Sequence, residues 1–336
     1  MTTNSLVPSQ IAGVGFYVPE TVVTNDDLSK LVDTSDEWIV TRTGIKERRV
    51  VSGDETAVTL GIKAAEMALK NAKMEPSEVE FIIAAASVPN MMYPSCACEI
   101  QAAIGAVNAA CYDLTAACSG LMYAMTMAKG LINSGMYEKI LIVATDANSK
   151  FVDWSDRTTC ILFGDGAGAV VMKKSDDGVE DILAIDISAD GTKGKEIQMP
   201  ISGKNCPLAE PCEERKQIIS MNGREVYKFV MNTMPSSIDK CIEKSGLKVE
   251  DIDYFIPHQA NLRIIEGLQS RLQYSDEKVV KNIDKYGNTS AASVPIALVE
   301  AVKSGQVKLP STVMLCAFGA GMTWGTIIVR LRENII

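Results

Sequence analysis

Cys118 lies in ACYDLTAACSGLMYAMTMAKGLINSG, where a strand-like run gives way to small residues and then to a nearly all-apolar helical segment. That order puts its sulfur at a helix N-terminus, where unpaired N–H groups and the positive end of the helix dipole favour the thiolate a nucleophile needs. The neighbours Ala116, Ala117, Ser119 and Gly120 are small enough to let a carbonyl group approach. A buried thiol with no chemical role fits the same local sequence, because cysteine is among the most buried residue types.

His258 is the only histidine, in FIPHQANLRIIEGLQSRL, just past a short strand that Pro257 ends and before an amphipathic helix. Strand ends are where α/β folds place reacting groups, although a lone imidazole also suits a structural position. One histidine disfavours a zinc site. Asn288, in KYGNTSAASVPIALVEAV, offers an amide N–H to an oxyanion; the plainer account is a Gly287–Asn288 turn in which Asn288 or Thr289 caps the next helix. Trp38, in TSDEWIVTRTGI, has Arg42 one turn later, which reads either as ordinary helix core or as a stacking and phosphate-binding face.

Other chemistry is poorly supported. Gly164-Asp-Gly166-Ala-Gly168 lacks dinucleotide-binding spacing and precedes a strand rather than a helix. Phosphate-binding loops ending in Gly-Lys-Ser/Thr and Gly-x-Ser-x-Gly elbows are absent from the sequence. Cys96, Cys98, Cys206 and Cys212 have no histidine neighbours, so they read as core or loop thiols rather than metal ligands.

Positioning such residues requires a scaffold, and glycine-punctuated apolar segments alternating with helical patterns specify an α/β protein. Strands are predicted at Ile11–Gly15, Phe81–Ala86, Cys111–Leu114, Ile140–Ala144, Ala167–Met172, Tyr254–Ile256, Thr312–Ala317 and Thr326–Leu331. Helices are predicted at Thr56–Ala72, Cys118–Asn133, Arg224–Lys244, Asn261–Leu272 and Ser290–Ser304. ALKNAKMEPSEVEFII (68–83) aligns without gaps to CIEKSGLKVEDIDYFI (241–256), and FGDGAGAVV (163–171) is echoed by FGAGMTWGTIIV (318–329). Two echoes in one order predict a duplicated unit, with the halves spanning 1–175 and 176–336. In both glycine runs, missing side chains let another backbone come close. Residues 189–217, rich in Gly, Pro and charge, read as a long surface excursion of the kind that often carries function.

The 336 residues, 47% hydrophobic and 22% charged, suit a well-filled globular protein. A net charge of −9 argues against general attraction to nucleic acid. Neither a secretion signal nor a membrane-spanning run is evident, and the nine scattered cysteines read as reduced thiols, so the expected location is cytoplasmic.

Six segments, SDEWIVTRTGIKERR, DLTAACSGL, RTTCILFGDGAGAVV, PHQANLRI, GNTSAASVP and AFGAGMTWG, together resemble the β-ketoacyl-acyl-carrier-protein synthase III family of the thiolase superfamily, in family order and over nearly the whole chain. The resemblance implies a five-layered αβαβα sandwich of two similar halves. It implies that Cys118 takes an acyl group from acyl-CoA, and that malonyl-acyl-carrier protein then loses carbon dioxide and attacks the acyl group. His258 and Asn288 would stabilise the enolate, and the backbone N–H groups of Cys118 and Ala320 would form a second oxyanion hole. The family commonly has glycine where this chain has Ala320, which would be costly if that position needed a positive φ.

By the same resemblance, Trp38 and Arg157 hold the adenine of CoA, Arg42 lies near its phosphates, Asn261 contacts the pantetheine arm and Arg263 stands at the tunnel mouth. Lys228, Arg263 and Arg271 would form a basic patch for an acidic carrier protein, although solvated surface charge accounts for them equally simply. A homodimer is implied, with Tyr93 reaching toward the partner's acyl pocket, and neither a cofactor nor a metal is required because acyl-CoA is a substrate.

Three competing readings remain. A thiolase would use a second cysteine; Cys316 is a candidate, but it lies one residue further from the glycine run than that pattern asks, and on a strand such a slip reverses the face. A related acyltransferase or condensing enzyme of secondary metabolism would keep Cys118. A non-catalytic partner subunit would typically have lost it.

Overall fold

The computed structural model describes residues 6–203, 207–210, 213 and 216–336. Two sheets organise the chain. The first has five strands in the spatial order Ser9–Tyr17, Gly166–Lys174, Lys139–Asp146, Phe81–Ala85, Ala110–Leu114, and the second has four in the order Ile182–Ala189, Thr323–Leu331, Ser311–Gly319, Tyr254–Pro257. Each begins with two antiparallel pairings followed by a parallel one. The first sheet adds a second parallel pair; at the corresponding place in the second there is a single parallel bridge, Phe255 with Val279.

Helices complete three further layers. Ala57–Ala72 and Cys96–Ile104 cover one face of the first sheet, Gly120–Asn133 and Ser293–Ser304 lie between the sheets, and Gly223–Ser245 with Leu262–Leu272 covers the outer face of the second. Three hydrophobic cores fill the interlayer spaces, the largest around the central helices. Strands buried on both faces read as unbroken apolar runs: in Lys139–Asp146, only the first residue is not buried.

Local sequence sets the element ends. The Thr56 hydroxyl accepts from the Thr59 N–H and its own N–H donates to Thr59 Oγ1, a reciprocal cap contributing about 1 kcal/mol to the helix Ala57–Ala72. Ser35 Oγ accepts from the Trp38 N–H to start the helix Asp36–Thr43, which ends at Gly44 with φ 80°. A side chain on Gly44 would strike Leu262, so this glycine also lets two helices close together.

The two glycine runs serve the opposite sheet's helices. Side chains on Gly164, Gly166 and Gly168 would collide with Tyr286, Ile296 and Pro295, whereas side chains on Gly319 and Gly325 would collide with Cys118 and Met122. Each run thus accepts the turn and helix that precede chemistry on the other side, as the missing side chains led us to expect.

All eight predicted strands and five predicted helices are present within a few residues, although Cys118 and Ser290 lie in short 3-10 turns ahead of helices that begin at Gly120 and Ser293. The strand Ile182–Ala189 was not predicted: it is an edge strand whose buried positions, one of them the acidic Asp186, alternate with half-exposed ones. Nor was the helix Cys96–Ile104, whose first N–H groups bond to the Asp113 carboxylate across 16 to 17 residues. Cys206 and Cys212 lie outside the described residues. Where it is described, the 189–217 excursion includes a 3-10 turn Gly191–Glu196 and a short strand Ile197–Gln198 paired with Ser220–Met221.

Candidate active site

A cavity of about 500 Å³ opens between the two sheets, lined by Cys118, His258 and Asn288. Three segments far apart in sequence meet there because each ends a layer: the turn before the central helix Gly120–Asn133, the loop after the strand Tyr254–Pro257, and the turn before Ser293–Ser304.

The nucleophile turn is pinned to the second sheet. Ser119 Oγ lies 2.8 Å from both the Ala116 carbonyl oxygen and Thr323 Oγ1, and Thr323 Oγ1 lies 3.1 Å from the same carbonyl, so the two hydroxyls and the carbonyl form one hydrogen-bonded cluster. Ala117 has φ 46°, and Ser290, whose side chain faces Cys118, has φ 55°; they are two of four non-glycine residues with positive φ among the described residues. Such strain, about 1–3 kcal/mol each, persists where surrounding contacts over-determine the backbone, as they do around a reacting group.

The thiolate expected from the helix N-terminus is not what the surroundings favour at rest. Cys118 keeps some accessible surface, but burial pushes its thiol up to about 12; the Ser290 side chain favours the thiolate while the nearby Asp146 charge opposes it. Asp146 is itself fully buried, and burial pushes its carboxyl up to about 6 although the Ser87 and Val88 N–H groups bond to Oδ1. At rest, Cys118 is therefore a neutral thiol.

His258 is enclosed, which pushes its imidazole down to about 3 and keeps it neutral at ordinary pH. Its Nδ1 lies 2.6 Å from Ser293 Oγ, the Phe318 ring packs edge-on at 5.2 Å, and its backbone N–H donates to the Cys316 carbonyl. Asn288 Oδ1 accepts from the Ser290 N–H at 2.9 Å, an interaction that fixes which end of the amide is oxygen. Among the described residues neither His258 Nε2 nor Asn288 Nδ2 has a hydrogen-bond partner, so both are free to act toward the cavity. Main-chain bonds from the Asn288 N–H to the Leu162 carbonyl and from the Gly164 N–H to the Asn288 carbonyl hold the turn from below.

Ala320 lines the cavity, and its φ is not positive; the left-handed conformation in that run falls on Gly321, φ 135°. The close approach belongs to Gly319, where a Cβ would sit 2.6 Å from the Cys118 nitrogen.

Trp38, Arg42, Arg157 and Asn261 also line the cavity. The Arg42 and Arg157 guanidinium carbons lie 4.2 and 5.0 Å from the Trp38 ring centre, and Arg157 donates to the Asp33 carbonyl. Asn261 caps the helix Leu262–Leu272 and donates to the Arg42 carbonyl, while Arg263 donates to the Thr41 carbonyl outside the lining. Of the two remaining candidate basic residues, Lys228 is paired with Glu225 at 2.6 Å and Arg271 with Asp239 at 3.0 Å, both exposed. Tyr93 is also exposed. Cys316 does not line the cavity; it is fully buried beside Cys241 in the core under the outer helices of the second sheet. That placement argues against a thiolase-type second cysteine.

Sequence reasoning missed several lining residues. Ile197, Met199, Ile219 and Met221 come from the 189–217 excursion and its return, and Phe163 from the glycine run. Among the described residues, no group of three or more His, Cys, Asp or Glu side chains is placed to hold a metal ion, and no helix is long and apolar enough to cross a membrane.

Five layers, a half-buried cysteine before a central helix and two neutral polar side chains beside it define a thiolase-like condensing enzyme of the acyltransferase class. The family description 3-oxoacyl-[acyl-carrier-protein] synthase III matches residues 112–191, and its C-terminal counterpart matches residues 242–331. A beta-ketoacyl-[acyl-carrier-protein] synthase III from Caldanaerobacter subterraneus subsp. tengcongensis is 45% identical over 325 residues, covering 96% of this chain and 98% of that protein. The crystal structure of the corresponding synthase from Aquifex aeolicus VF5 is 44% identical, superposes with a TM-score of 0.89, and covers 96% of this chain and 100% of that one. The priming β-ketosynthase of the R1128 polyketide pathway is 33% identical with a TM-score of 0.91, covering 99% of each chain. The chain belongs to the 3-oxoacyl-[acyl-carrier-protein] synthase III family.

Proposed function

We propose that this protein initiates fatty acid synthesis by condensing an acyl-CoA with malonyl-acyl-carrier protein, using Cys118, His258 and Asn288. The Cys118 thiol gives up its proton, the sulfur attacks the acyl-CoA carbonyl, the CoA sulfur departs and takes up a proton in turn, and an acyl-cysteine remains. The malonyl thioester then loses carbon dioxide; the electron pair left behind moves onto its carbonyl oxygen, where His258 Nε2–H and Asn288 Nδ2–H donate as charge develops. The enolate carbon attacks the acyl-cysteine, whose oxyanion lies against the N–H groups of Cys118 and Ala320, and the cysteine sulfur leaves and regains a proton. The product is a 3-oxoacyl-carrier protein.

The observation carrying this reading is the convergence on one cavity of a thiol and two neutral side chains, each with an atom left unpaired. Two such donors need no resident metal or cofactor. Trp38, Arg42, Arg157, Asn261 and Arg263 are assigned to CoA. Lys228, Arg263 and Arg271 are assigned to the carrier protein, with the ion pairs of Lys228 and Arg271 opening on docking. The organisation is two halves, 1–175 carrying the nucleophile and 176–336 carrying His258 and Asn288, assembled as a cytoplasmic homodimer.

Intact-mass detection of acyl-Cys118 from a panel of acyl-CoAs, followed by addition of malonyl-carrier protein, tests the mechanism. His258→Ala and Asn288→Ala proteins are expected to load the acyl group but to release carbon dioxide about 10²–10³-fold more slowly. Equal loading of Cys118→Ala would end the proposal. A second reading, priming of a dedicated secondary pathway with the same cysteine, draws on the likeness to the R1128 enzyme; rates with carrier proteins from the two kinds of pathway distinguish it.

A further inference from the structure

We propose that Ser293 is a positioning residue that sets the tautomer of His258, so that the imidazole presents an N–H, not a lone pair, to the cavity. The inference rests on the reading of His258 as a donor and identifies what makes it one. A neutral imidazole carries its single proton on one nitrogen, and the partner of the other nitrogen decides which.

Ser293 is 2% exposed, as is His258. Its Oγ has two neighbours within hydrogen-bond distance among the described residues: His258 Nδ1 at 2.6 Å and the Gln259 backbone nitrogen at 3.4 Å. The Gln259 N–H can only donate, so it occupies a lone pair of Oγ. The serine hydroxyl proton then has one acceptor, Nδ1, which must be unprotonated. Were Nδ1 protonated, Oγ would receive two N–H groups and its own proton would be buried without an acceptor, an arrangement folded proteins avoid.

The serine is free for this task. The helix Ser293–Ser304 has Ala292 at its N-cap and no side-chain cap, so the Ser293 hydroxyl is not spent on the helix start. Phe318 packs against the imidazole edge and restricts its rotation. With Nδ1 accepting, the proton lies on Nε2, the nitrogen that has no hydrogen-bond partner among the described residues and belongs to a cavity-lining side chain. The opposite tautomer would aim a lone pair at the developing enolate oxygen and repel it. Burial keeps the ring neutral, so no second proton obscures the choice.

The chain has one histidine, so tag-free protein labelled with ¹⁵N only at histidine gives the spectrum of this one ring. The expected wild-type spectrum has a protonated Nε2 and an unprotonated Nδ1 from pH 5 to 9. Ser293→Ala is expected to show a mixture of tautomers and to slow malonyl decarboxylation roughly tenfold while acyl loading is unchanged. Ser293→Thr, which keeps the hydroxyl, should restore both spectrum and rate to within about twofold. A wild-type ring protonated at Nδ1 would overturn the proposal, as would a Ser293→Ala protein with unchanged tautomer and rate. If His258→Ala decarboxylated malonate at the wild-type rate while the wild-type spectrum was as expected, the donor role of His258 would fail and the tautomer assignment would stand.

Discussion

At the buried end of the cavity, Cys118 follows the strained Ala117, His258 and Asn288 are each held by two main-chain hydrogen bonds, and the cysteine and histidine side chains are neutral at rest. At the exposed end, Arg42 and Arg157 crowd one indole and Arg157 leans on Asp33. The contrast follows from what each end must do. Stabilising charge that appears only in a transition state calls for fixed dipoles in a dry site, whereas capturing an anionic substrate calls for charge that acts at a distance and can rearrange. Precision is therefore expected to matter at one end and ionic strength at the other.

The largest separation between acyl loading and decarboxylation should come from pH. Burial pushes the Cys118 thiol up to about 12 and the His258 imidazole down to about 3. Below its pKa, the thiolate fraction rises tenfold per pH unit, so loading of the free enzyme should accelerate about a thousandfold from pH 6 to pH 9. His258 stays neutral throughout that range, so decarboxylation by the acylated enzyme should be nearly flat. Rapid-quench mass measurement of loading and carbon dioxide release from pre-acylated protein provide the two profiles. Flat loading would mean that a group inside the site takes the proton as the sulfur attacks.

Gly319→Ala is the next largest effect. The added methyl would lie 2.6 Å from the Cys118 nitrogen and 3.0 Å from the Ala117 Cβ, so the nucleophile turn must shift. A misplacement of about 1 Å costs on the order of 10²-fold in rate, and both half-reactions should suffer because the proposed mechanism uses the Cys118 N–H in both acyl transfers. Native melting behaviour with loading at the wild-type rate would show the turn to be more tolerant than its contacts imply.

At the exposed end the effects should be smaller and of another kind. Trp38→Ala is expected to raise the KM for acyl-CoA about tenfold, the scale of one lost base-stacking surface, with little change in kcat. Arg42→Ala should raise KM less, and its effect should shrink as salt is added, because exposed charges are screened. A fall in kcat without a change in KM would assign these residues to the chemistry and collapse the contrast.

The buried end was also the more legible in sequence. Cys118, His258 and Asn288 stand out because their neighbours, small residues, a strand-ending proline and a Gly-Asn turn, are dictated by the same backbone that aims them. The basic residues carry no such signature, and the ion pairs of Lys228 and Arg271 became visible only when Glu225 and Asp239 were placed beside them. The apolar lining from Ile197, Met199, Ile219 and Met221 was illegible for a different reason: a short two-stranded ribbon has too few residues to establish a period. The strand Ile182–Ala189 was hidden because an edge strand with alternating half-exposed positions resembles a linker when it follows a predicted boundary.

The smallest expected effect tests whether family resemblance or local geometry is the better guide. Ala320 replaces a glycine common in the family, and a methyl group there would matter if the residue had to adopt positive φ. It does not, because the left-handed conformation is taken by Gly321 and the close backbone approach by Gly319. Its N–H is kept whatever the side chain, so Ala320→Gly should leave loading and decarboxylation within about twofold, with a loss of stability of about 0.4–1 kcal/mol from added freedom in the unfolded chain. Measured beside Gly319→Ala, this pair places a large and a negligible effect on adjacent residues of one strand end. A large gain in rate for Ala320→Gly would mean that the loop must pass through a conformation alanine resists during turnover, and that the resting geometry of this oxyanion hole is not the working one.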